Sequence, residues 1–457
     1  MKWMFSLLLI VSPLLEAEPP KIVVVGAGLA GLTTAYRLHQ QGHKVELYEA
    51  RDRPGGRVHT VYFGDSYEEL GGKNLMDGGD PDNIFPLVEE MGLKKVWQKH
   101  NWSLSAVWDD GLYTDKEFFE NAPELTEEAL EKLKVKAESA QNLAQVIDYF
   151  LSAHPRLCQM MHMCLENYEG SPTDKLSPTY VADGFSFNYG FFYAMSHGDK
   201  NPEFEHPFVY VEGGNSRFAQ ALADKLEGHI HYSSPLTALY QTPDEKIELT
   251  FNDAKIVADY VVLALPCTTL RDVEILEGLF PEDQWKAIQT QQYGTNAKLL
   301  IPIKTKDPIY PTTCLTPHLF TWTNLDASVM TWYFGGPAGI FDDRTDKDIE
   351  AVLARDLEAI QKVYPTLEID SEKKIIGKSW LNDPYSKGSY SNYGIDQFAF
   401  FDERMNERGE SVRKVFRPIK GRIFFAGEHT STTAASTMEG AVESGERTAR
   451  LLQNYLK

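Results

Sequence analysis

An α/β fold is what this chain predicts: a doubly wound parallel sheet whose sequence is interrupted by α+β insertions. Three observations carry it. Lys21 to Arg57 reads as strand, glycine turn, helix and strand. Two further short apolar runs, Tyr260 to Leu265 and Ile423 to Ala426, have the character of strands buried on both faces and come far later in the chain. Between them lie a helix-rich stretch and a strand-rich stretch that such a sheet has no place for. The expected architecture is therefore a discontinuous, Rossmann-like dinucleotide-binding domain made of residues 21–76, 205–285 and 378–457. Residues 77–204 and 286–377 are then an inserted α+β substrate domain.

The first element fixes the chemistry of the rest. Ile22 to Val25 is a continuous apolar run, followed by Gly26, Gly28 and Gly31 in GxGxxG spacing. Gly26 permits a tight turn, Gly28 lets a pyrophosphate approach the backbone, and Gly31 lets helix and strand pack closely. Leu29 and Ala30 open a helix that runs to Gln41 and stops at Gly42. Its N-terminus supplies unpaired N–H groups and a partial positive charge to an anion. Val45 to Tyr48 is the second strand, and Glu49 at its end offers a carboxylate to two ribose hydroxyls. A 2′-phosphate would be repelled there.

The next residues narrow the ligand. Glu49-Ala50-Arg51-Asp52-Arg53-Pro54-Gly55-Gly56-Arg57 adds a second close backbone approach and two fixed cations, Arg51 and Arg57. A nicotinamide enzyme needs no such second clamp. With this extension the sequence resembles the flavin-dependent amine oxidases, a family that includes monoamine, polyamine and L-amino acid oxidases. The resemblance implies that this stretch binds FAD.

Along the rest of the chain the resemblance assigns further positions. Gly71 and Gly72 match a turn against the isoalloxazine ring. Asn74 stands where venom-type L-amino acid oxidases carry an arginine for the substrate carboxylate, so an amino-acid oxidase of that type is disfavoured. Leu236 matches a backbone contact to adenine. Lys298, a cation inside an otherwise apolar strand, is costly without a partner; the family places a lysine there, holding a water near flavin N5. Trp380 and Tyr390 match the tryptophan beside the flavin and one wall of the aromatic cage that receives the amine. Ser389 replaces the cysteine that links FAD in monoamine oxidases, which implies noncovalent FAD. Gly427 and Glu428 end the last strand, where the family's acid meets the pyrophosphate–ribityl region. Thr437 and Met438 open the final helix, whose N-terminus the family points at the flavin pyrimidine. Thr437 also falls at the second cage position, so only half an aromatic cage is expected.

Within the insertions, Pro81 to Met91 is expected as a helix, Glu127 to Ala153 as one long amphipathic helix capped by Thr126, and Leu157 to Tyr168 as another. Met160, Met161, His162 and Met163 read as packing rather than as a metal site, because adjacent residues on a helix cannot converge on one ion. Phe185 to Tyr193 is dense in aromatics and fits either a core or a cavity wall. Cys158, Cys164, Cys267 and Cys314 show neither metal spacing nor a disulfide framework.

Composition excludes other classes. With 45 basic and 66 acidic residues, the formal charge of −21 opposes binding to nucleic acid or anionic membranes, and it can attract a cationic substrate. The apolar run Trp3 to Leu15 after Lys2, with Glu18-Pro19-Pro20 beyond it, reads as a short secretory leader over residues 1–18, too short for a membrane span; export is expected. The resemblance implies hydride transfer to FAD from a C–H next to nitrogen, with oxygen taking the electrons to give imine and peroxide. A carotenoid- or porphyrinogen-type FAD desaturase and a non-catalytic flavin-binding scaffold remain alternatives at this point.

Overall fold

Ile22, Val23 and Val24 are fully buried, and their alternation explains why the strand is apolar throughout. Ile22 and Val24 pack with Leu32, Ala35 and Leu38 of the helix Leu29–Gln40. Val23 and Val25 face the other way, toward Leu239, Leu263 and Phe425. The computed structural model describes residues 19–77, 79–98, 101–108, 111–198, 208–304, 312–315 and 319–457. The expected leader, residues 1–18, lies outside the described residues.

The strand Ile22–Val25 sits third in a five-stranded, all-parallel sheet with the order Ile423–Phe425, Tyr260–Leu263, Ile22–Val25, Val45–Tyr48, Ile230–His231. The expected parallel sheet is therefore present, assembled from the segments the sequence indicates, but its second face meets the antiparallel strands Leu236–Gln241 and Ile247–Phe251. The helix Leu29–Gln40 lies on one face, and the C-terminal helix Met438–Leu456 packs across it. Their contact is so close that a Cβ on Gly445 would stand 2.6 Å from the Ala30 carbonyl oxygen.

A seven-stranded mixed sheet forms the second layer system, with the order Ile376–Ser379, Ala297–Pro302, Val329–Phe334, Leu319–Thr323, Thr312–Leu315, Asn101–Trp108, Gly111–Thr114. In its second strand Ala297, Leu299 and Ile301 pack on Ile349 and Val352 of the helix Asp346–Val363. The alternate residues Lys298 and Leu300 face the opposite side, where Leu300 meets Leu70.

The helical insertion differs from expectation in one place. Glu127–Ser139 and Leu143–Phe150 are two helices rather than one, because Asn142 breaks the run and caps the second by accepting from Gln145 N at 3.1 Å. Pro155–Glu169 follows, and then Gly184–Ser196. Phe185, Tyr189 and Phe192 lie in the same apolar core as Met160 and Met161, so much of the aromatic stretch is packing. Ile84, Leu87 and Val88 share a core with the helix Leu29–Gln40, so the helix Ile84–Glu90 packs against the dinucleotide side of the boundary drawn at residue 76. Among the described residues no helix is long and apolar enough to cross a membrane.

Candidate active site

The glycine turn has the shape an anion needs. Gly26 takes φ +103°, and a Cβ there would press on Ala264 O at 2.8 Å. On Gly31 it would lie 1.9 Å from Gly26 O, so strand and helix tolerate no side chain between them. Above Gly28 an added Cβ meets nothing within 4 Å. The protein leaves that face open. No side chain caps the helix that starts at Leu29, and no acid stands in its first turn, so its leading N–H groups are left for a ligand.

Glu49, buried at the end of the second strand, accepts from Ala27 N at 2.6 Å through one oxygen and from Arg51 N at 2.8 Å through the other. Each oxygen keeps a lone pair for a hydroxyl. The loop before Leu236 is tied to the same place, since Ser233 N donates to Arg51 O and Ser234 N to Glu49 O. Glu49, Arg51 and the loop that leads into Leu236 are thus held together.

The two cations are present but paired. Arg51 meets Asp383 and donates to Ser386 Oγ at 3.0 Å, and Arg57 Nη1 donates to Glu428 Oε1 at 2.8 Å and to Ser389 O at 2.7 Å. They act less as free positive charges than as ties between the first motif and the segment 383–391. Gly55 and Gly56, both with positive φ, carry this link beneath Gly28: a Cβ on Gly56 would come within 3.3 Å of Gly28 Cα.

Glu428 is likewise more engaged than its motif suggests. Besides Arg57 it accepts from Ser391 N at 3.1 Å, Ser391 Oγ at 2.6 Å and Ser436 N at 3.1 Å. Its carboxyl is held below the usual range by the Arg57 charge and by the Ser391 hydroxyl, against the cost of burial. Gly427, at φ +139°, turns the chain into this cluster.

Lys298 is the centre of the second half. Its strand lies between two others, so its ammonium is enclosed rather than reaching solvent at an edge. Nζ donates to Glu69 O at 2.9 Å and Gly71 O at 2.6 Å, and Trp380 Nε1 donates to Leu70 O at 3.3 Å. Three consecutive carbonyls leading into the Gly71–Gly72 turn are thus gripped by two side chains from the neighbouring sheet. A Cβ on Gly71 would lie 1.9 Å from Arg57 O, and one on Gly72 would meet Met438 Sδ at 3.1 Å, so the turn is also locked to the first motif and to the last helix. Burial pulls the Lys298 ammonium below the ordinary lysine range, and burial pushes the neighbouring Glu69 carboxyl up. Beneath them Lys73 and Glu68 form a buried ion pair at 2.7 Å.

Beside Tyr390, which the sequence marked, stand tyrosines it did not. Tyr390 donates to Tyr168 O, so in its 3.0 Å contact with the Tyr333 hydroxyl it must accept. Tyr333 also places its ring 5.9 Å from Lys298 Nζ, and Trp322 lies 5.6 Å from it. Thr437 does not supply a wall: its hydroxyl accepts from Gly440 N at 3.0 Å and donates to Ala434 O at 2.7 Å, capping its own helix. The aromatic partner of Tyr390 comes instead from the seven-stranded sheet. Asn74 is structural as well, accepting from Val209 N at 3.0 Å and donating to Asp77 Oδ1 at 2.7 Å. Asp77 lies exposed beside Asn74, and its charge is felt by Lys298, Tyr168 and Tyr333. Asp77, Tyr168 and Tyr333 carry no local pattern that would have flagged them. Ser389 turns its oxygen onto Asn296 Oδ1 at 2.5 Å.

Comparison with known proteins gives the family and the fold. The family model described as flavin containing amine oxidoreductase matches residues 29–453. Polyamine oxidase 5 of Oryza sativa subsp. japonica is 25% identical over 466 residues, covering 94% of this chain and 87% of that protein. The flavin-containing amine oxidase A of Sus scrofa is 25% identical over 482 residues, covering 95% of this chain and 85% of that protein. Among solved structures, cyclohexylamine oxidase from Brevibacterium oxydans superposes with a TM-score of 0.74 at 17% identity, covering 95% of this chain and 98% of that one.

Proposed function

Because this chain belongs to the flavin containing amine oxidoreductase family, we propose that it is an FAD-dependent oxidase acting on a small amine at the carbon next to nitrogen, with oxygen as electron acceptor and hydrogen peroxide as product. The observation that carries this reading is the double grip on the turn at Gly71: Lys298 and Trp380 hold three successive carbonyls, while Tyr390 and Tyr333 stand beside them.

The residues fit FAD. The open face of Gly28 and the uncapped helix behind it suit a pyrophosphate. The spare lone pairs of Glu49 suit ribose hydroxyls. At position 389 a serine oxygen replaces the thiol that a covalent link would need, so FAD is bound noncovalently. Bound FAD supplies the oxidising group that takes the hydride.

The protein's part is orientation and charge. Tyr390 and Tyr333 offer aromatic faces to an amine, and the negative charge of Asp77 reaches Tyr333 and Tyr168. Two of the three Lys298 N–H groups are used on carbonyls, which leaves one to hold a water. Its depressed proton affinity allows that water to exchange a proton with a nitrogen that stays shielded from bulk solvent. The apolar run Trp3 to Leu15 supports export of the protein, which the mass of the mature chain would test.

Anaerobic mixing with a panel of mono- and diamines tests the function. At least one amine should bleach the flavin absorbance, and air should restore it with release of peroxide. A yellow protein that no amine reduces would refute the proposal.

A further inference from the structure

Away from the flavin side, three donor atoms converge between two helices of the insertion. Cys158 and His162 are four residues apart on Pro155–Glu169, hence on one face of that helix, and Asp148 reaches them from Leu143–Phe150. Cys158 Sγ lies 3.3 Å from Asp148 Oδ1, and His162 Nε2 lies 3.0 Å from the same oxygen. The three ligand atoms all fall within 4.8 Å of one another. A tetrahedral zinc ion, with bonds of about 2.0 Å to oxygen and nitrogen and about 2.3 Å to sulfur, sets ligand–ligand edges of roughly 3.3–3.6 Å. The trio needs only small side-chain adjustments to meet that geometry.

The surroundings suit a cation. His162 Nδ1 lies 2.7 Å from Thr173 Oγ1, a partner that fixes the ring with Nε2 turned toward Asp148 and Cys158. Glu166, one turn further along the same helix, and Asp174 add negative charge around His162. Cys158 is buried and His162 mostly covered while the Asp148 side chain is 63% exposed, which gives an ion an entry path and a solvent-facing fourth position on the Asp148 side.

We propose that Asp148, Cys158 and His162 bind one zinc ion, with water in the fourth position. The ion takes the place of the Cys158 thiol proton, which is released on binding. It clamps the helix Leu143–Phe150 to Pro155–Glu169, and through His162 and Thr173 it holds the turn that follows. The site stands apart from Lys298 and the tyrosine pair and plays no part in hydride transfer.

The test uses the full-length, FAD-loaded protein, stripped with a chelator and dialysed against zinc alone. One zinc per chain is expected, with one proton released. Replacing zinc by cadmium should produce an ultraviolet thiolate-to-metal charge-transfer band. Asp148→Asn, Cys158→Ser and His162→Ala should each weaken zinc binding by about tenfold or more, and Thr173→Val by about tenfold. Cys164→Ser and Cys267→Ser should leave it unchanged. Flavin content and the melting temperature of the metal-free variants report folding, and Asp148→Asn, at an exposed position, keeps the test valid if a buried variant fails to fold. No zinc on the wild-type protein, or full zinc and an unaltered cadmium band in Cys158→Ser, overturns the proposal.

Discussion

At the scale of single residues, Lys298 shows how far a sequence can speak. A lone cation in an apolar strand demands a partner, and the strand's neighbours confirm that demand by walling it in. Its partners were not readable, because they are main-chain oxygens of residues 69 and 71, brought there by a different sheet. The same holds for the cage. Tyr390 sits in a recognisable run, whereas Tyr333 and Tyr168 look like ordinary core tyrosines until their elements meet. Lys298→Met should lower the rate constant for flavin reduction by amine, or for reoxidation by oxygen, by about a hundredfold in rapid-mixing experiments, while FAD content is kept. His429 gives a pH prediction. Burial lowers its pKa from 6.5 to about 4, so the folded protein keeps it neutral where the unfolded chain takes up a proton. The unfolded state then binds more protons in that window, and stability falls as pH drops through it. Urea unfolding should show His429→Gln losing about 2 kcal/mol less than wild type between about pH 7.5 and 5.

At the scale of elements, the strand–turn–helix unit was legible because everything it needs is local: spacing, size and φ. The long helix expected over 127–153 was not, because Asn142 fits an amphipathic pattern as well as a cap, and only its bond to Gln145 N decides. Likewise Cys158 and His162 carry no metal spacing by themselves; their third partner comes from another helix. The two glycines of the first turn separate fold from ligand. Gly31→Ala places a methyl against Gly26 O and should destabilise the FAD-free protein by about 1–3 kcal/mol. Gly28→Ala meets open space at an allowed φ of −69°, so FAD-free stability should hold within about 1 kcal/mol while FAD affinity falls. Denaturant unfolding and flavin titration of the two variants check this; equal loss of stability in both would remove the argument for a ligand over Gly28.

At the scale of the whole molecule, acid is in excess, 66 against 45 basic residues, and the charge of Asp77 reaches Tyr168 and Tyr333. Long-range attraction of a cationic amine is screened by salt, whereas an attraction acting over less than the screening length is screened less. For a diamine, kcat/KM should therefore fall as ionic strength rises. Asp77→Asn should raise KM for the diamine while keeping that salt dependence. The division of labour between the two sheets was visible in outline, since the glycine-rich segments recur at both ends of the chain. How the seven-stranded sheet reaches across to grip the Gly71 turn was not, since that depends on the packing of strands far apart in sequence.

The strand order also sets a timetable. The central sheet closes with Ile423–Phe425, and the helix that presses Gly445 onto Ala30 is translated after every other described element. While the ribosome still holds those residues, the helix that follows Gly28 lacks the partner it packs on. The coenzyme therefore cannot template the nascent polypeptide, and yellow colour should arise only after synthesis ends.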